Sequence, residues 1–432
     1  MDTIEKLMNY IAESPSPYHA VQSAARLLKE AGFEALQESE HWSLRPGRGY
    51  FVTRNQSSLI AFRLPAGTLA SWRMTAAHGD TPAFAVKADR LEGDKAYVRL
   101  STEGYGGMNC ASWLDRPLTV AGRVILRTEQ GIESRLVYLD RNLLTIPSLA
   151  IHQQRDVNRG HDYNAQKDMQ PLWGLTGSRT LTDLLSEALE VRPEQILARD
   201  LLLCPRQEPV LLGADGELFQ APRIDDQACA YATLEGFLQA AGQESLGQIY
   251  CLFDNEEVGS GTRQGAMSSF LPDVLTRVGE GLGLSAEARR RALASSMLLS
   301  ADNGHAVHPN FPEKADPANR VYPNGGVVIK YAASQKYTTT GLSAGLFRAI
   351  CDRAGVPVQV FANRADEAGG STLGNLLARQ VSVPMVDIGM AQLAMHSVVE
   401  TAGSRDPGYM ARACKAFFET DFQMTADGIY TF

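Results

Sequence analysis

The chain has 432 residues, of which 44% are hydrophobic and 21% are charged, and its formal net charge is −8. This length allows a large core and predicts two domains, while the negative charge argues against nucleic acid or an anionic membrane as a partner. No apolar run approaches the roughly 20 residues that span a bilayer, and the N-terminus lacks the basic and apolar regions of a signal peptide.

The predicted elements begin with a short amphipathic helix in MDTIEKLMNYIAE, which ends before the prolines of SPSP. Apolar, β-rich runs then recur, and several of them end in acidic or histidine residues: SWRMTAAHGD (71–80), IYCLFDNEE (249–257), SSMLLSADNGHAVHPN (295–310), VPVQVFANRAD (356–366) and VSVPMVDIGMAQLAMHS (381–397). Continuous apolar strands that alternate with helices predict an α/β fold with a mostly parallel sheet covered on both faces.

Helical patterns lie between these runs. DDQACAYATLEGFLQAAG carries apolar residues at the i, i+3, i+4, i+7 spacing of one helix face, and SAEARRRALASS predicts another helix. The last helix is expected to begin at RDPGYMARACKAFFETD, where Asp406 suits the capping position and Pro407 the first turn.

A middle stretch differs from the rest of the chain. It contains short strand-like runs, KAYVRLS, LTVAGRVILRT, SRLVYLD and EPVLLGADGELFQAP, interrupted by one helical pattern, LTDLLSEALE. Asp215-Gly216 is a hairpin signal within the last run. We therefore predict an inserted β-rich domain at 91–220 and a discontinuous catalytic domain formed by 1–90 and 221–432.

The six cysteines are scattered singly, and no CxxC pair occurs. Cys229, Cys251 and Cys351 lie inside apolar segments, which indicates buried, reduced thiols rather than a disulfide framework. A thiolate zinc site is therefore not expected. Reduced thiols favour a cytoplasmic location.

Polar side chains cluster where the predicted strands end, and ligands of parallel sheets bind at the carboxyl ends of the strands. The clustered residues are His78, Asp80, Asp225, Asp226, Glu256, Glu257, Asp302, His305, His308 and His396. Imidazole and carboxylate without thiolate suit zinc, manganese or cobalt in a catalytic site. Two ions would need a bridging carboxylate and about two further ligands each.

The spacing of two pairs supports this interpretation. His78 and Asp80 are two apart on a strand and face the same side, so Asp80 can hold the far ring nitrogen of His78. The adjacent Glu256 and Glu257 point in different directions, so one can bind metal while the other acts as a general base.

Each feature also has an ordinary structural explanation. A Glu-Glu pair is often a solvated turn, a lone histidine often a core or capping residue, and His305 and His308 could belong to a polar helix start. The recurrence of such clusters at successive strand ends is what favours a metal site. His19, His41 and His161 lie outside these clusters and are not assigned to it.

Five motifs resemble, in this order, the aspartyl aminopeptidase family of dinuclear zinc exopeptidases: AAHGDTP, PRIDD, FDNEEVGS, SADNGHAVHPN and LAMHS. SPSPYHA, YGG, WLDRPLTVAGR, TIPSLAIHQQRD and GGVVIKY match other parts of the pattern. The resemblance spans Ser14 to His396 and is closest to bacterial members. It implies a three-layer α/β/α zinc-exopeptidase fold with an inserted domain.

The resemblance also implies roles for individual residues. His78 and Asp302 would hold one ion and Glu257 and His396 the other, with Asp225 as the bridge, Glu256 as the general base and Asp80 orienting His78. Such enzymes assemble as tetrahedral dodecamers, in which a histidine of the inserted domain reaches a neighbouring active site. Here that residue is His152, as a substrate contact or a metal ligand, and either His152 or His308 would stabilise the oxyanion.

The implied substrate is a peptide with N-terminal Asp or Glu, and Lys330 matches a lysine that lines the pocket. Asp366 and Glu367 beside Arg364 depart from the expected pattern, and Asp226 adds negative charge near the ions. An aminopeptidase of broader or neutral specificity is therefore an alternative. A two-metal phosphoesterase and a non-catalytic assembly or cargo-binding protein on the same fold are the other two.

Overall fold

The computed structural model describes residues 2–91 and 95–431, which contain nine α-helices and 22 β-strands, numbered in chain order. The helices are α1 (Thr3–Glu13), α2 (Pro17–Glu30), α3 (Leu181–Leu189), α4 (Ile224–Gln239), α5 (Phe270–Gly281), α6 (Ala286–Ala294), α7 (Gly341–Arg353), α8 (Leu373–Leu377) and α9 (Asp406–Glu419). The helices predicted at the N-terminus and after residues 224, 285 and 405 are thereby confirmed.

A nine-stranded sheet forms the centre of the molecule, in the order β1-β2-β3-β13-β4-β14-β18-β16-β17. Its strands are β1 (Glu34–Leu36), β2 (Gly49–Arg54), β3 (Ser58–Arg63), β4 (Ser71–His78), β13 (Leu246–Phe253), β14 (Met297–Ala301), β16 (Val327–Tyr331), β17 (Val358–Ala362) and β18 (Met385–Gly389). Five of its eight strand pairs are parallel, including β4 with both β13 and β14. The predicted mostly parallel sheet is confirmed.

Helices cover both faces of this sheet because the side chains of each strand alternate between two cores. On β13, Tyr250 and Leu252 join a core with α1, α2, α4, α7 and α9. Ile249, Cys251 and Phe253 point the other way, into a core with α5, α6 and α8. This is the three-layer α/β/α arrangement expected from the sequence.

A second sheet of six strands, all paired antiparallel, has the order β8-β7-β10-β5-β6-β9. Its strands are β5 (Ala83–Leu91), β6 (Tyr97–Tyr105), β7 (Leu118–Thr128), β8 (Gly131–Tyr138), β9 (Leu172–Leu175) and β10 (Ile196–Pro205), and α3 packs with them in one core. The division at residues 91 and 220 stays a prediction. By sheet membership this part of the fold runs from β5 to β10.

Two smaller sheets complete the fold. The first joins β11 (Val210–Leu212), β12 (Leu218–Ala221), β15 (Gly304–His305), β19 (Ala391–Leu393) and β20 (Glu400–Gly403), and the second pairs β21 (Gln423–Ala426) with β22 (Ile429–Thr431). The hairpin predicted at Asp215-Gly216 joins β11 to β12, which in turn pairs with β20.

Two helices differ in detail from their sequence patterns. Helix α4 was expected to bury one face, but every residue from Ile224 to Phe237 is buried because the helix lies between the sheet and α9. Asp406 does not cap α9 but is its first residue. Its carboxylate accepts hydrogen bonds from the backbone N–H of Asn324 (2.6 Å) and Gly326 (3.1 Å), which fixes the turn before β16.

The cysteines agree with the expectation of reduced thiols. All six are free, and five of them are buried. No helix in the described part of the chain is long and apolar enough to cross a membrane.

Candidate metal centre

Eight of the predicted site residues line one cleft of about 710 Å³ at the carboxyl edge of the central sheet. They are His78, Asp225, Glu256, Glu257, Asp302, His305, Lys330 and His396. His78 ends β4, the two glutamates follow β13 in a 3-10 turn, and Asp302 follows β14 directly. Adjacent parallel strands end at the same edge, which is why residues far apart in the chain meet here.

Within the cleft there are three overlapping groups of possible ligands, of which one joins His78, Glu256 and Glu257 and the other two share Asp225. The ligand atoms of His78, Asp225 and Asp302 all lie within 4.8 Å of one another, and so do those of Asp225, Glu257 and His396. The His396 Nε2 atom lies 3.2 Å from Asp225 Oδ2 and 3.4 Å from Glu257 Oε1, and His78 Nε2 lies 3.7 Å from Asp225 Oδ1. Asp225 is therefore placed between the two groups.

The donor set fits a hard or borderline divalent cation. Asp225 is 3% exposed, yet its Oδ1 atom has no hydrogen-bond partner among the described residues, and neither does Glu257 Oε1. A buried carboxylate oxygen without a partner is costly because it has lost its water. Imidazole nitrogens and carboxylate oxygens at this spacing are the ligands that zinc accepts.

The ionisation of the cluster shows how closely its charges interact. Burial, together with the negative charge of Asp302, raises the pKa of Glu256 to about 8. Burial lowers the pKa of His396, but the neighbouring carboxylates of Asp225 and Glu257 outweigh this effect and raise it to about 11. Glu256 and His396 therefore keep their protons at pH values where the isolated side chains would lose them. A divalent cation that binds in the cleft would compete with these protons.

Two buried carboxylates hold the backbone of the ligand-bearing turns. Asp80 accepts the N–H groups of Glu256 and Glu257, each at 3.1 Å. Glu400 accepts the N–H groups of Asp225 (2.9 Å) and His396 (2.7 Å). Asp80 also lies beside His78, whose Nδ1 atom is 3.1 Å from the Asp80 carbonyl oxygen and 3.4 Å from Oδ1.

Glu400 was not found from the sequence, although a signal existed. A single acid interrupts the run Val398-Val399-Glu400-Thr401-Ala402, and it is 1% exposed in the structure. Charged residues are almost never fully buried unless they are paired. An isolated acid within a short β-rich run close to a predicted ligand therefore deserves assignment to the site.

Lys330, His308 and His152, which were predicted to bind the substrate, lie in three different places. Lys330 lines the cleft and is 1% exposed, and its Nζ atom lies 3.3 Å from Asp302 Oδ1 and 3.1 Å from the Asn303 carbonyl oxygen. His308 lines a neighbouring cavity of about 1350 Å³. His152 lies on an exposed turn and is not among the residues that line the cleft of its own subunit.

Comparison with known proteins decides the family. A family model described as Aminopeptidase I zinc metalloprotease (M18) matches residues 10–418. The chain belongs to the M18 family. The resemblance to the aspartyl aminopeptidase family seen in the sequence is thereby confirmed, and the protein is a zinc-dependent aminopeptidase, a hydrolase that acts on N-terminal residues.

Individual relatives match the M18 chain over almost its whole length. A probable M18 family aminopeptidase 2 of Clostridium novyi (strain NT) is 39% identical over 423 residues, which cover 96% of this chain and 98% of that protein. The cryo-EM structure of the Ape4 and Nbr1 complex contains a chain that matches with a TM-score of 0.92 and 33% identity, over 96% of this chain and 85% of that one.

A further solved structure that resembles this M18 chain is an oligomer. The structure of the S. cerevesiae mApe1 dodecamer matches with a TM-score of 0.83 and 26% identity, over 96% of both chains. Membership of the M18 family favours the aminopeptidase over the phosphoesterase and the non-catalytic protein considered from the sequence.

Proposed function

We propose that this aminopeptidase removes N-terminal Asp or Glu from peptides at a centre of two zinc ions. The observation that carries the proposal is the position of Asp225, which belongs to two of the three groups of possible ligands and joins His78 and Asp302 to Glu257 and His396. His78 and Asp302 would complete the site of one ion, and Glu257 and His396 that of the other. A shared carboxylate is what a two-ion site requires, and cobalt or manganese suits the same ligands.

Zinc bound at such a site supplies Lewis acidity toward the scissile carbonyl group and lowers the pKa of water. Glu256 accepts the proton of the attacking water on its carboxylate and returns it to the leaving amine. It lies in the cleft beside His78 and Glu257, within reach of the ligand groups that would hold the ions. Asp80 keeps Glu256 in position through the backbone.

Lys330 is the residue that we propose to select an acidic side chain. Burial lowers its pKa, but the Asp302 carboxylate outweighs this effect, so the ammonium group stays charged. Two of its three N–H bonds point to Asp302 and Asn303. The Nζ atom also lies 5.1 Å from the centre of the Tyr337 ring, and we assign its third N–H to a substrate carboxylate, since an ammonium group has three donors.

We further propose that the subunits assemble into a homo-oligomer, a dodecamer as in the mApe1 structure. The exposed position of His152 on the turn between β8 and β9 supports a role in a neighbouring subunit's site. There it would contact the substrate or an ion and stabilise the oxyanion, with His308 as the alternative within the same subunit. The β5–β10 region would then serve as an oligomerisation domain.

One experiment tests the substrate class. Protein freed of metal and reconstituted with zinc, cobalt or manganese is given aspartyl, glutamyl, leucyl and lysyl p-nitroanilides and a p-nitrophenyl phosphate. The proposal expects kcat/KM for the two acidic anilides to exceed the others by about tenfold or more, because one charge-assisted hydrogen bond is worth this much. Preference for the leucyl substrate would instead support an aminopeptidase of neutral specificity.

The same assay tests the general base with the substitution Glu256→Gln. Glutamine cannot accept the proton, so kcat is expected to fall by about 10²- to 10⁴-fold, while zinc content measured by atomic absorption stays the same. Glu287→Gln, at an exposed position of α6, is the matched control and should keep full activity. Near-normal turnover of the Glu256→Gln variant would show that another group is the base.

A further inference from the structure

Residues 105–112, called the strap here, leave the end of β6 in the six-stranded sheet and lie against two ligand-bearing turns of the central sheet. One of these turns carries Glu256 and Glu257, and the other carries His396. The six-stranded sheet carries none of the predicted ligands of its own subunit's site. The strap therefore connects this sheet to both halves of the metal centre.

The first contact of the strap is made by the Tyr105 hydroxyl group. It donates to Asp80 Oδ2 over 2.6 Å and accepts from Asn255 Nδ2 over 2.9 Å. Asp80 is fully buried and uses its two oxygens to accept the N–H groups of Glu256 and Glu257. A hydrogen bond to Tyr105 thus restrains the same carboxylate that fixes both glutamates.

Asn255 is the second point at which Tyr105 acts. Its backbone is left-handed (φ 61°), a conformation uncommon outside glycine, and it immediately precedes Glu256. Its side-chain oxygen accepts from Thr262 Oγ1 (2.7 Å) and Gln264 Nε2 (2.8 Å), while its amide nitrogen is held by Tyr105. Hydrogen bonds to both the oxygen and the nitrogen of the Asn255 side chain therefore hold the turn that precedes Glu256.

The far end of the strap holds the turn of His396. The Asn109 N–H donates to the His396 carbonyl oxygen over 3.0 Å, and Ser112 Oγ accepts the Val398 N–H over 2.9 Å. Between the two ends the strap passes so close to the glutamate turn that a Cβ atom at Gly106 would lie 3.0 Å from the Glu257 Cβ. Glycine is therefore needed for this approach.

We propose that Tyr105 is a positioning residue of the peptidase reaction, which sets the Glu256-Glu257 turn through Asp80 and Asn255. The inference rests on the proposed function, because it assumes that these glutamates serve as base and ligand. It goes further in making the six-stranded sheet part of the active site of its own subunit. The aromatic ring supplies packing, and the hydroxyl group supplies the restraint.

The substitution Tyr105→Phe tests this proposal, because it keeps the ring and removes only the hydroxyl group. We expect kcat to fall by about 10- to 100-fold and zinc affinity, measured by competition with a chromogenic chelator, to fall within the same range, as for other groups that orient metal ligands. KM should change by less than about twofold, since Tyr105 is not among the residues that line the cleft. Tyr138→Phe is the matched control, because Tyr138 lies in the same six-stranded sheet and its hydroxyl accepts a hydrogen bond from Arg206, away from the metal centre.

Hydrogen exchange of the zinc-free protein gives a readout that does not depend on activity. Peptides containing Glu256 and Glu257 should exchange at least about tenfold faster in Tyr105→Phe than in the wild type, and at an unchanged rate in Tyr138→Phe. Unchanged exchange, zinc affinity and kcat in Tyr105→Phe would overturn the proposal, as would an equal loss in both variants. Failure of the wild type to cleave acidic substrates would refute the proposed function only, because the exchange comparison would still stand.

Discussion

At the scale of single residues, the centre depends on how backbone groups are held as much as on the ligands. Asp80 accepts the N–H groups of the proposed base Glu256 and the proposed ligand Glu257, Glu400 accepts those of two proposed ligands, and both acids are at most 1% exposed. Such bonds fix the direction of a ligand because the backbone of its turn cannot rotate freely. Asp80 was found from its spacing to His78, whereas Glu400 was missed although it lies four residues after His396.

Away from the centre, His19 in α2 is expected to make stability depend on pH. Burial, aided by the positive charge of Arg223, lowers its pKa from 6.5 to about 4. Between these values the unfolded chain binds a proton that the folded protein does not bind, so the free energy of unfolding falls as the pH falls. The shift corresponds to about 3 kcal/mol lost between pH 7 and pH 4.

Urea unfolding at pH 7 and pH 4 checks this prediction by comparison with two variants. His19→Gln should lose less stability than the wild type over this range, whereas His41→Gln, at an exposed position, should lose as much as the wild type. Equal losses in all three proteins would mean that folding does not lower the pKa of His19.

At the scale of secondary structure elements, the close approach between the ends of β14 and β18 determines where Asp302 lies. The Asp302 N–H donates to the Ile388 carbonyl oxygen at the end of β18 over 2.9 Å. Gly389 follows, and a Cβ atom there would lie 2.0 Å from the Asp302 carbonyl oxygen. The absence of a side chain at Gly389 is therefore a condition for the position of this ligand.

Two glycine substitutions should have opposite effects on stability. Gly389→Ala should lower the free energy of unfolding by about 1–3 kcal/mol, the range for overpacking, and should weaken zinc binding because Asp302 must move. Gly345→Ala, on the exposed side of α7 with no atom within 4 Å of the added carbon, should raise it by about 0.5–1 kcal/mol. Thermal unfolding of zinc-free and zinc-loaded protein measures both effects, and a stable Gly389→Ala variant with normal zinc affinity would contradict the first.

At the scale of the whole molecule, folding gathers more negative than positive charge in the cleft. Its described lining residues include four carboxylates, Asp225, Glu256, Glu257 and Asp302. Among the same described residues, Lys330 is the one lysine, and no arginine occurs. The protein is therefore expected to be stabilised by zinc, because the unfolded chain does not hold these ligands together.

The expected gain from zinc follows from mass action. At a free concentration about 100 times the dissociation constant, one bound ion raises the free energy of unfolding by about 2.7 kcal/mol. Titration of metal-free protein with zinc, followed by thermal unfolding, should show this rise, and a chelator should reverse it. Asp225→Asn should lose most of the zinc-dependent rise if Asp225 serves both ions, and a full rise in that variant would argue against the bridge.

The sequence by itself determined the α/β class, the main helices and the strand ends at which the polar residues of the cleft lie. These features depend on hydrophobic periodicity and on where apolar runs stop, and both are local properties of the chain. Only the tertiary structure decided the position of Asp225 between two groups, the pairing of Lys330 with Asp302, the placement of His308 in a neighbouring cavity, and the contacts of Glu400 and Tyr105. Those contacts join residues such as Asp80 and Glu257, which are 177 positions apart, and they form only because particular strands become neighbours in the folded sheet.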